Sequence, residues 1–304
     1  MPRKPTGTGG DEAFPVPEPL ARACALTPQR AAWLERLPAT VRMLEQRWSL
    51  QVGAPFGSGG TASEGSCAWV APATTARGDD AVLKLGMPHF EGEHEIAGVR
   101  FWDGDGMVRL LAADEAAGGM LLERCVPGTP LRSRPPAEQD RVIAGLLRRL
   151  WRTPPQALFR PLTDMIAHWT TRALDEPLAA GADDRALLEE GAALLTQLAA
   201  TARRRVLLAT DLHAGNVLRA QREPWLAIDP KPFVGDPAYD ATQHLLNDVP
   251  RLLRDPDGTI RGIADLLEVS ASRLRLWTFA RLALGGVDPT QPAAAAAAAR
   301  ALSP

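Results

Sequence analysis

The sequence predicts an α+β chain of two lobes, a small β-rich lobe followed by a larger helical one. Three observations lead there. The chain has 304 residues of which 45% are hydrophobic, enough to bury a sizeable core in two modest domains or one large one. From residue 48 to 123, short apolar runs alternate with turn residues around a single helical stripe. Beyond Val126-Pro-Gly-Thr-Pro130 the apolar residues recur at helical spacing instead. The expected organisation is a flexible lead-in over 1–26, a first lobe over 27–124, a second over 125–288 and a frayed tail over 289–304.

Taken in order, residues 1–26 are rich in Pro, Gly and Ala and read as a loose lead-in. Thr27-Pro28 reads as an N-cap followed by proline at the first helical position. Trp33, Leu37, Val41, Leu44 and Trp48 then recur at helical spacing, with Pro38 a point where this helix can split. Strand-like runs follow at Trp48–Phe56, Ser66–Ala71 and Ala81–Leu85, the first two separated by the Gly/Ser-rich stretch Gly57–Gly65. A helix is expected over Phe90–Trp102, then strands at Met107–Ala112 and Gly119–Glu123. In the second half, one helical stripe comprises Ile143, Leu146, Leu147 and Leu150, and another Leu187, Leu188, Leu194, Leu195 and Leu198. Small strands at Val206–Leu208, Val217–Leu218 and Trp225–Ile228 surround a polar loop, and helices follow at about 259–268 and 271–284. Seven consecutive alanines, 293–299, read as a frayed helical tail.

Composition excludes several classes. Thirty-four basic against 36 acidic residues leave a net charge of −2, without the positive excess of a dedicated nucleic-acid binder. Cys24, Cys67 and Cys125 are odd in number and far apart, which fits neither a disulfide framework nor a thiolate zinc site and suits a reducing cytoplasm. The five histidines show no metal-ligand spacing, no 18-residue apolar run exists, and no apolar segment follows the first residues. A soluble cytoplasmic monomer with neither nucleic-acid nor membrane partners is expected. Lysine occurs only at Lys4, Lys84 and Lys231, against 31 arginines, so a lysine in an apolar strand is a candidate for work that the planar guanidinium cannot do.

The strongest chemical signal is Ala209-Thr-Asp-Leu-His-Ala-Gly-Asn216, followed by Ala227-Ile-Asp-Pro-Lys231. Asp211 and Asn216 stand five apart in a loop, and Asp229 follows thirteen later at a strand end. Phosphoryl transfer needs a carboxylate for the acceptor hydroxyl and oxygen ligands for magnesium on the nucleotide phosphates; a loop Asp, a loop Asn and a strand-end Asp supply them. The plainer alternative is that these residues only make turns. Lys84 lies in the apolar run Ala81-Val-Leu-Lys-Leu85, where a charged head needs a partner. It reads as a ligand of nucleotide phosphates paired with a helix glutamate, Glu95 first and Glu91 second, or else as an edge-strand lysine with its head in solvent. Gly57, Ser58, Gly59 and Gly60 open a glycine-rich hairpin whose N–H groups can approach phosphates, or which is merely a flexible turn.

These segments resemble the aminoglycoside phosphotransferases, small-molecule kinases with the protein-kinase-like fold. The resemblance rests on Thr210-Asp-Leu-His-Ala-Gly-Asn-Val-Leu218, Ile228-Asp-Pro-Lys231 and Gly235-Asp-Pro-Ala-Tyr-Asp240. Trp102-Asp-Gly-Asp-Gly-Met-Val-Arg-Leu-Leu111, Leu121-Leu-Glu-Arg124 and Arg275-Leu-Trp-Thr-Phe-Ala-Arg281 look closest to the branch acting on streptomycin or hydroxyurea. It runs from about residue 48 to 284. It implies Asp211 as catalytic base, Asn216 and Asp229 as magnesium ligands, and Lys84 on the phosphates. Leu122–Val126, with Glu123 and Cys125, would be a hinge recognising adenine through its backbone. ATP is the implied donor, with GTP an alternative, Mg2+ the implied metal and a small antibiotic the implied acceptor. The family usually has His two residues before the catalytic Asp; Ala209 stands there, at a position that buttresses the loop. Asp240 is expected to stabilise that loop, and His213 to be structural. Lys231 would either reach a phosphate or pair with an acid. Streptomycin, a bulky cation, is the expected acceptor, with hydroxyurea, a viomycin-like peptide or a non-catalytic binding role as alternatives. Asp164, Asp248 and Glu190 are available carboxylates for such a cation, and the acids Asp183, Asp184, Glu189 and Glu190 read otherwise as a solvated face.

Overall fold

The computed structural model describes residues 14–57, 67–155, 158–175, 185–285 and 292–303. Two compact units emerge, one comprising residues up to His89 together with Leu111–Glu123, the other Phe90–Leu110 together with residues from Arg124 onward.

The first unit is built on two helices and a sheet. Helix α1 (Glu18–Cys24) precedes α2 (Pro28–Trp48), which Thr27 caps by accepting a hydrogen bond from the Arg30 N–H. Strands β1 (Leu50–Val52), β2 (Ala68–Thr75), β3 (Asp80–Gly86), β4 (Leu110–Asp114) and β5 (Gly119–Glu123) form one sheet in the order β1-β2-β3-β5-β4. The β1–β2, β2–β3 and β3–β5 pairs are antiparallel. Alternation puts Trp69, Ala71 and Ala73 of β2 and Ala81, Leu83 and Leu85 of β3 in one buried cluster with Leu37, Val41 and Leu44 of α2. Gly119 lets α2 come close, since a Cβ there would lie 2.6 Å from a Leu44 methyl.

Several local expectations change here. Pro38 does not divide α2; burial of Trp33, Leu37, Val41 and Leu44 on one side compensates for the lost backbone hydrogen bond. Within the segment read as a loose lead-in, Glu18–Cys24 is helical with Leu20 and Cys24 fully buried, and the Cys24 thiol meets the Met87 sulfur at 3.5 Å.

The second unit begins with a 3-10 turn at Phe90–Gly92 and then α3 (Glu95–Trp102), so the single helix expected over Phe90–Trp102 is interrupted at Gly92 and starts afresh after His94. Its helical body comprises α4 (Pro136–Leu150), α5 (Leu162–Asp175) and α6 (Arg185–Ala200). Four three-residue strands follow: β6 (Val206–Leu208) pairs with β9 (Phe233–Gly235), and β7 (Val217–Arg219) with β8 (Trp225–Ala227). Helices α7 (Pro237–Leu246), α8 (Val249–Arg254), α9 (Pro256–Leu267), α10 (Ala271–Ala283) and α11 (Pro292–Leu302) complete it. Helix α10 packs on α6, α7, α9 and α11. The tail read as frayed is therefore an ordered helix, with Ala298, Ala299 and Leu302 fully buried. Every residue of α7 is buried, and its N-cap Asp236 also receives Arg273 and the Trp277 indole N–H. No helix among the described residues is long and apolar enough to cross a membrane.

Candidate active site

The polar loop between β6 and β7 carries Asp211 and Asn216, and the segment after β8 carries Asp229 and Lys231. Hydrogen bonds tie the two together. The Lys231 N–H donates to the Ala209 carbonyl (2.8 Å) and the Ile228 N–H to the Asn216 carbonyl (2.9 Å). The Thr210 hydroxyl donates to the Lys231 carbonyl. Asn216 Nδ2 donates to the Asp211 carbonyl at 3.0 Å and approaches its carboxylate at 3.5 Å. His213 Nδ1 accepts the Gly215 N–H at 3.0 Å, in keeping with the structural part expected for it.

This loop is held in backbone conformations that side chains disfavour. Thr210 has φ +50° and Asp229 φ +55°, the left-handed region, where a β-branched threonine is an outlier. Asp240 keeps it there. That side chain is 0% exposed. One carboxylate oxygen accepts the Thr210 N–H (2.7 Å), the other the Ala209 N–H (3.1 Å) and the Trp151 indole N–H (3.0 Å). Burial pushes the Asp240 carboxyl up to about 6 against the pull of those donors and of Arg281. So Asp240 from α7 buttresses the loop in which Ala209 has no side chain to do so.

Charge is concentrated around Asp211, which is half-buried. Removal from water pushes its carboxyl up to about 6; Lys231 and Arg281 oppose the shift, Asp229 and Glu91 reinforce it. Lys231 is ion-paired with Asp229, the second of the two roles open to it. Burial works against the Lys231 ammonium, but Asp229, Glu95 and Asp211 together hold its pKa above the usual lysine range. Glu95, at the start of α3, is 5% exposed and acts on Lys231 from within the same unit.

The other expected residues lie in the first unit or next to it in the chain. Lys84, 5% exposed, is central in β3, opposite Val70 of β2 and Met120 of β5. Gly57 has φ +84°, while Ser58, Gly59 and Gly60 lie outside the described residues. Glu123 ends β5 opposite Ala81, and Cys125, partly exposed, follows in the second unit. Among the acids considered for a cationic ligand, Asp248 caps α8 by accepting the Arg251 N–H, and Asp164 and Glu190 are exposed. Glu189 pairs with Arg185, and Asp183 and Asp184 lie outside the described residues.

Sequence reasoning assigned no role to Trp169, Tyr239 and Arg281, which lie beside Asp211. The Trp169 indole N–H donates to Glu91 Oε1 at 2.6 Å. Arg281 is 9% exposed, donates to Thr242 Oγ1 and Gln243 Oε1 (each 2.6 Å), and lies 4.9 Å over the Tyr239 ring and 5.8 Å from that of Trp169. Tyr239 and Arg281 do belong to motifs that carry the family resemblance, so a signal existed; Trp169 gave none.

Comparison with known proteins shows the family and the fold. Residues 57–291 match a family model described as aminoglycoside/hydroxyurea antibiotic resistance kinase. The chain is 39% identical over 282 residues to a streptomycin 6-kinase of Streptomyces glaucescens, covering 88% of each. It is 38% identical over 263 residues to a hydroxyurea phosphotransferase of Kitasatospora aureofaciens, covering 82% of this chain and 72% of that one. Among solved structures, a choline kinase of Streptococcus pneumoniae is similar with a TM-score of 0.61 at 14% identity, over 87% of this chain and 99% of that chain. The fold is thus α+β and protein-kinase-like, with a β-rich N-terminal and a helical C-terminal part.

Proposed function

Since the chain belongs to the aminoglycoside/hydroxyurea antibiotic resistance kinase family, we propose that it transfers the γ-phosphoryl group of ATP to a hydroxyl of streptomycin or a similar aminoglycoside. In that reaction Asp211 accepts a hydrogen bond from the acceptor hydroxyl. It takes the proton as the new O–P bond forms, while the bond from the γ-phosphorus to the bridging oxygen breaks and its electrons leave with the nucleoside diphosphate. A carboxyl pushed up to about 6 is still mostly ionised at neutral pH and can play this part.

The donor set suits magnesium. Asn216 spends its amide N–H on Asp211, which turns its hard carbonyl oxygen to other use, and Asp229 adds a carboxylate. No group of three or more His, Cys, Asp or Glu side chains that could hold a metal occurs among the described residues. Two protein oxygens are what an ion shared with nucleotide phosphates and water requires. Magnesium bound there supplies charge neutralisation on the phosphates. Lys84 of the 27–124 nucleotide-binding lobe would hold phosphate oxygens, with Gly57–Gly60 covering them and Glu123 and Cys125 presenting backbone to the base. The 125–288 lobe would supply the catalytic loop, with GTP an acceptable donor for the same geometry.

The observation that supports this reading is the hydrogen-bonded tie between the Asp211 loop and the segment Ile228–Lys231, which brings the segments carrying Asp211, Asn216 and Asp229 together. A second reading, phosphorylation of hydroxyurea, is favoured by the 38% identity to the Kitasatospora enzyme. Incubation with Mg·ATP and streptomycin, hydroxyurea or viomycin, followed by mass spectrometry, tests both. Addition of one phosphoryl group to streptomycin is expected; its addition to hydroxyurea alone favours the second reading, and its absence from all three refutes the proposal.

A further inference from the structure

Two polar groups next to Asp211 lack a full set of partners among the described residues. Glu91, in the 3-10 turn, is partly buried; its one hydrogen bond comes from Trp169, and it has no cationic partner among the described residues. The Tyr239 hydroxyl, on a side chain with 0% exposure, has no hydrogen-bond partner among the described residues. A carboxylate without a counter-ion and a buried hydroxyl without a partner are both costly, and each has the chemistry to meet a ligand.

Their surroundings place them in one site. Phe90 stacks on His168 at 4.2 Å, and its neighbour Glu91 takes the Trp169 N–H, so two successive residues of the turn are anchored on two successive residues of α5. The Arg281 guanidinium is held by Thr242 and Gln243 and lies against the rings of Tyr239 and Trp169, which fixes both aromatics. Glu91 and Asp211 both act on the Tyr239 phenol, and Glu91 acts on Asp211. Arg281, Glu91, Asp211 and Asp240 are the charges that face this hydroxyl.

We propose that Glu91, oriented by Trp169, and the Tyr239 hydroxyl form the acceptor-binding site of this kinase, Glu91 taking a cationic group and Tyr239 a hydrogen-bonding group of the antibiotic. This rests on the proposed function and specifies its acceptor class. The carboxylate provides charge-assisted hydrogen bonds to a guanidinium or ammonium, the Trp169 ring an apolar flank beside it, and Asp211 then meets a hydroxyl on the same molecule. A small neutral acceptor such as hydroxyurea uses only part of this arrangement. Glu91, the second of the two glutamates expected to partner Lys84, takes its hydrogen bond from α5, beside the acceptor site proposed here.

The test uses the full-length wild type, Glu91→Gln, Glu91→Asp and Tyr239→Phe, each first checked for an unchanged melting transition. Steady-state phosphorylation of streptomycin and calorimetric binding of streptomycin with a non-hydrolysable ATP analogue are measured at low and high salt. Glu91→Gln is expected to raise the streptomycin KM and Kd about tenfold and flatten their salt dependence, as loss of a charge-assisted bond requires, with the ATP KM within about twofold. Glu91→Asp should recover part of the loss, and Tyr239→Phe should weaken binding severalfold without touching the salt slope. If wild type phosphorylates streptomycin and both Glu91→Gln and Tyr239→Phe match it in Kd and salt slope, the site is wrong while the kinase reading stands. Phosphate transfer to hydroxyurea alone likewise overturns the cationic acceptor. Transfer to no acceptor refutes the function on which the site rests.

Discussion

The sheet of the first unit and the loops of the second place their charged side chains by opposite means. Lys84 owes its position to regular alternation: Leu83 and Leu85 turn into the core, and Lys84 turns to the other face of β3 at a fixed register between β2 and β5. Asp211 and Asp229 sit on irregular backbone. There the left-handed Thr210 and Asp229, at about 1–3 kcal/mol each, persist because Asp240 and the Lys231 carbonyl hold the neighbouring groups. The lesson is that the strand position tolerates changes around it, whereas the loop position depends on one buried carboxylate far away in the chain.

That contrast can be broken most sharply at Asp240. Asp240→Ala leaves the Ala209 and Thr210 N–H groups and the Trp151 indole without their acceptor, and is expected to cost about 3–5 kcal/mol in urea unfolding and to abolish turnover. A stable, active variant would show that the loop holds its shape unaided.

Next in size is the buried triad that joins three helices of the second unit. Asp140 of α4 accepts His244 Nε2 of α7 at 2.8 Å and a two-pronged contact from Arg251 of α8. Burial alone would raise the Asp140 carboxyl, but these two partners hold it below the usual carboxylate range. A depressed native pKa means stabilisation that is complete above the unfolded value of about 3.9 and vanishes as pH falls through the lower native value. Asp140→Asn is therefore expected to lose about 2–4 kcal/mol at pH 7, with the gap to wild type closing below about pH 4. Melting curves from pH 7 to 3 check this; a gap independent of pH contradicts it.

Two glycines give the smallest effects and compare the units directly. Gly191→Ala in α6 brings a methyl to 2.7 Å from the Ala283 Cβ and 3.1 Å from the Ala280 carbonyl, so α6 and α10 must separate, at about 1–2 kcal/mol net of the helix gain. Gly119→Ala in β5 meets the movable tip of Leu44, and less than about 1 kcal/mol is expected. Equal costs in denaturant titrations would remove the distinction.

Much of this was legible because it is periodic or because spacing alone defines it. Strand β5 falls at Gly119–Glu123 as read, and the helices near 259–268 and 271–284 begin within a few residues of expectation. Asp211, Asn216 and Asp229 share a site because short strands bracket them. Helix α7 is hard to read because Asp240, Thr242, Gln243 and His244 are buried along with its apolar residues, so a run that looks polar and short lies wholly inside. Helix α5 carries a readable stripe, with Leu162, Met165, Ile166 and Trp169 at helical spacing, but a stripe of this kind gives the aromatic on it no functional meaning. The contact of Trp169 with Glu91 joins residues 78 apart in the chain, which no local pattern can carry.

Asp211→Asn bears most directly on the central claim, that this loop presents a base to an antibiotic hydroxyl. Single-turnover phosphate transfer from ATP to streptomycin, paired with equilibrium Mg·ATP binding on the same protein, is the measurement. Transfer should fall about 10³-fold with nucleotide affinity unchanged within about twofold. Transfer near the wild-type rate would contradict the assignment of Asp211 and the site built around it.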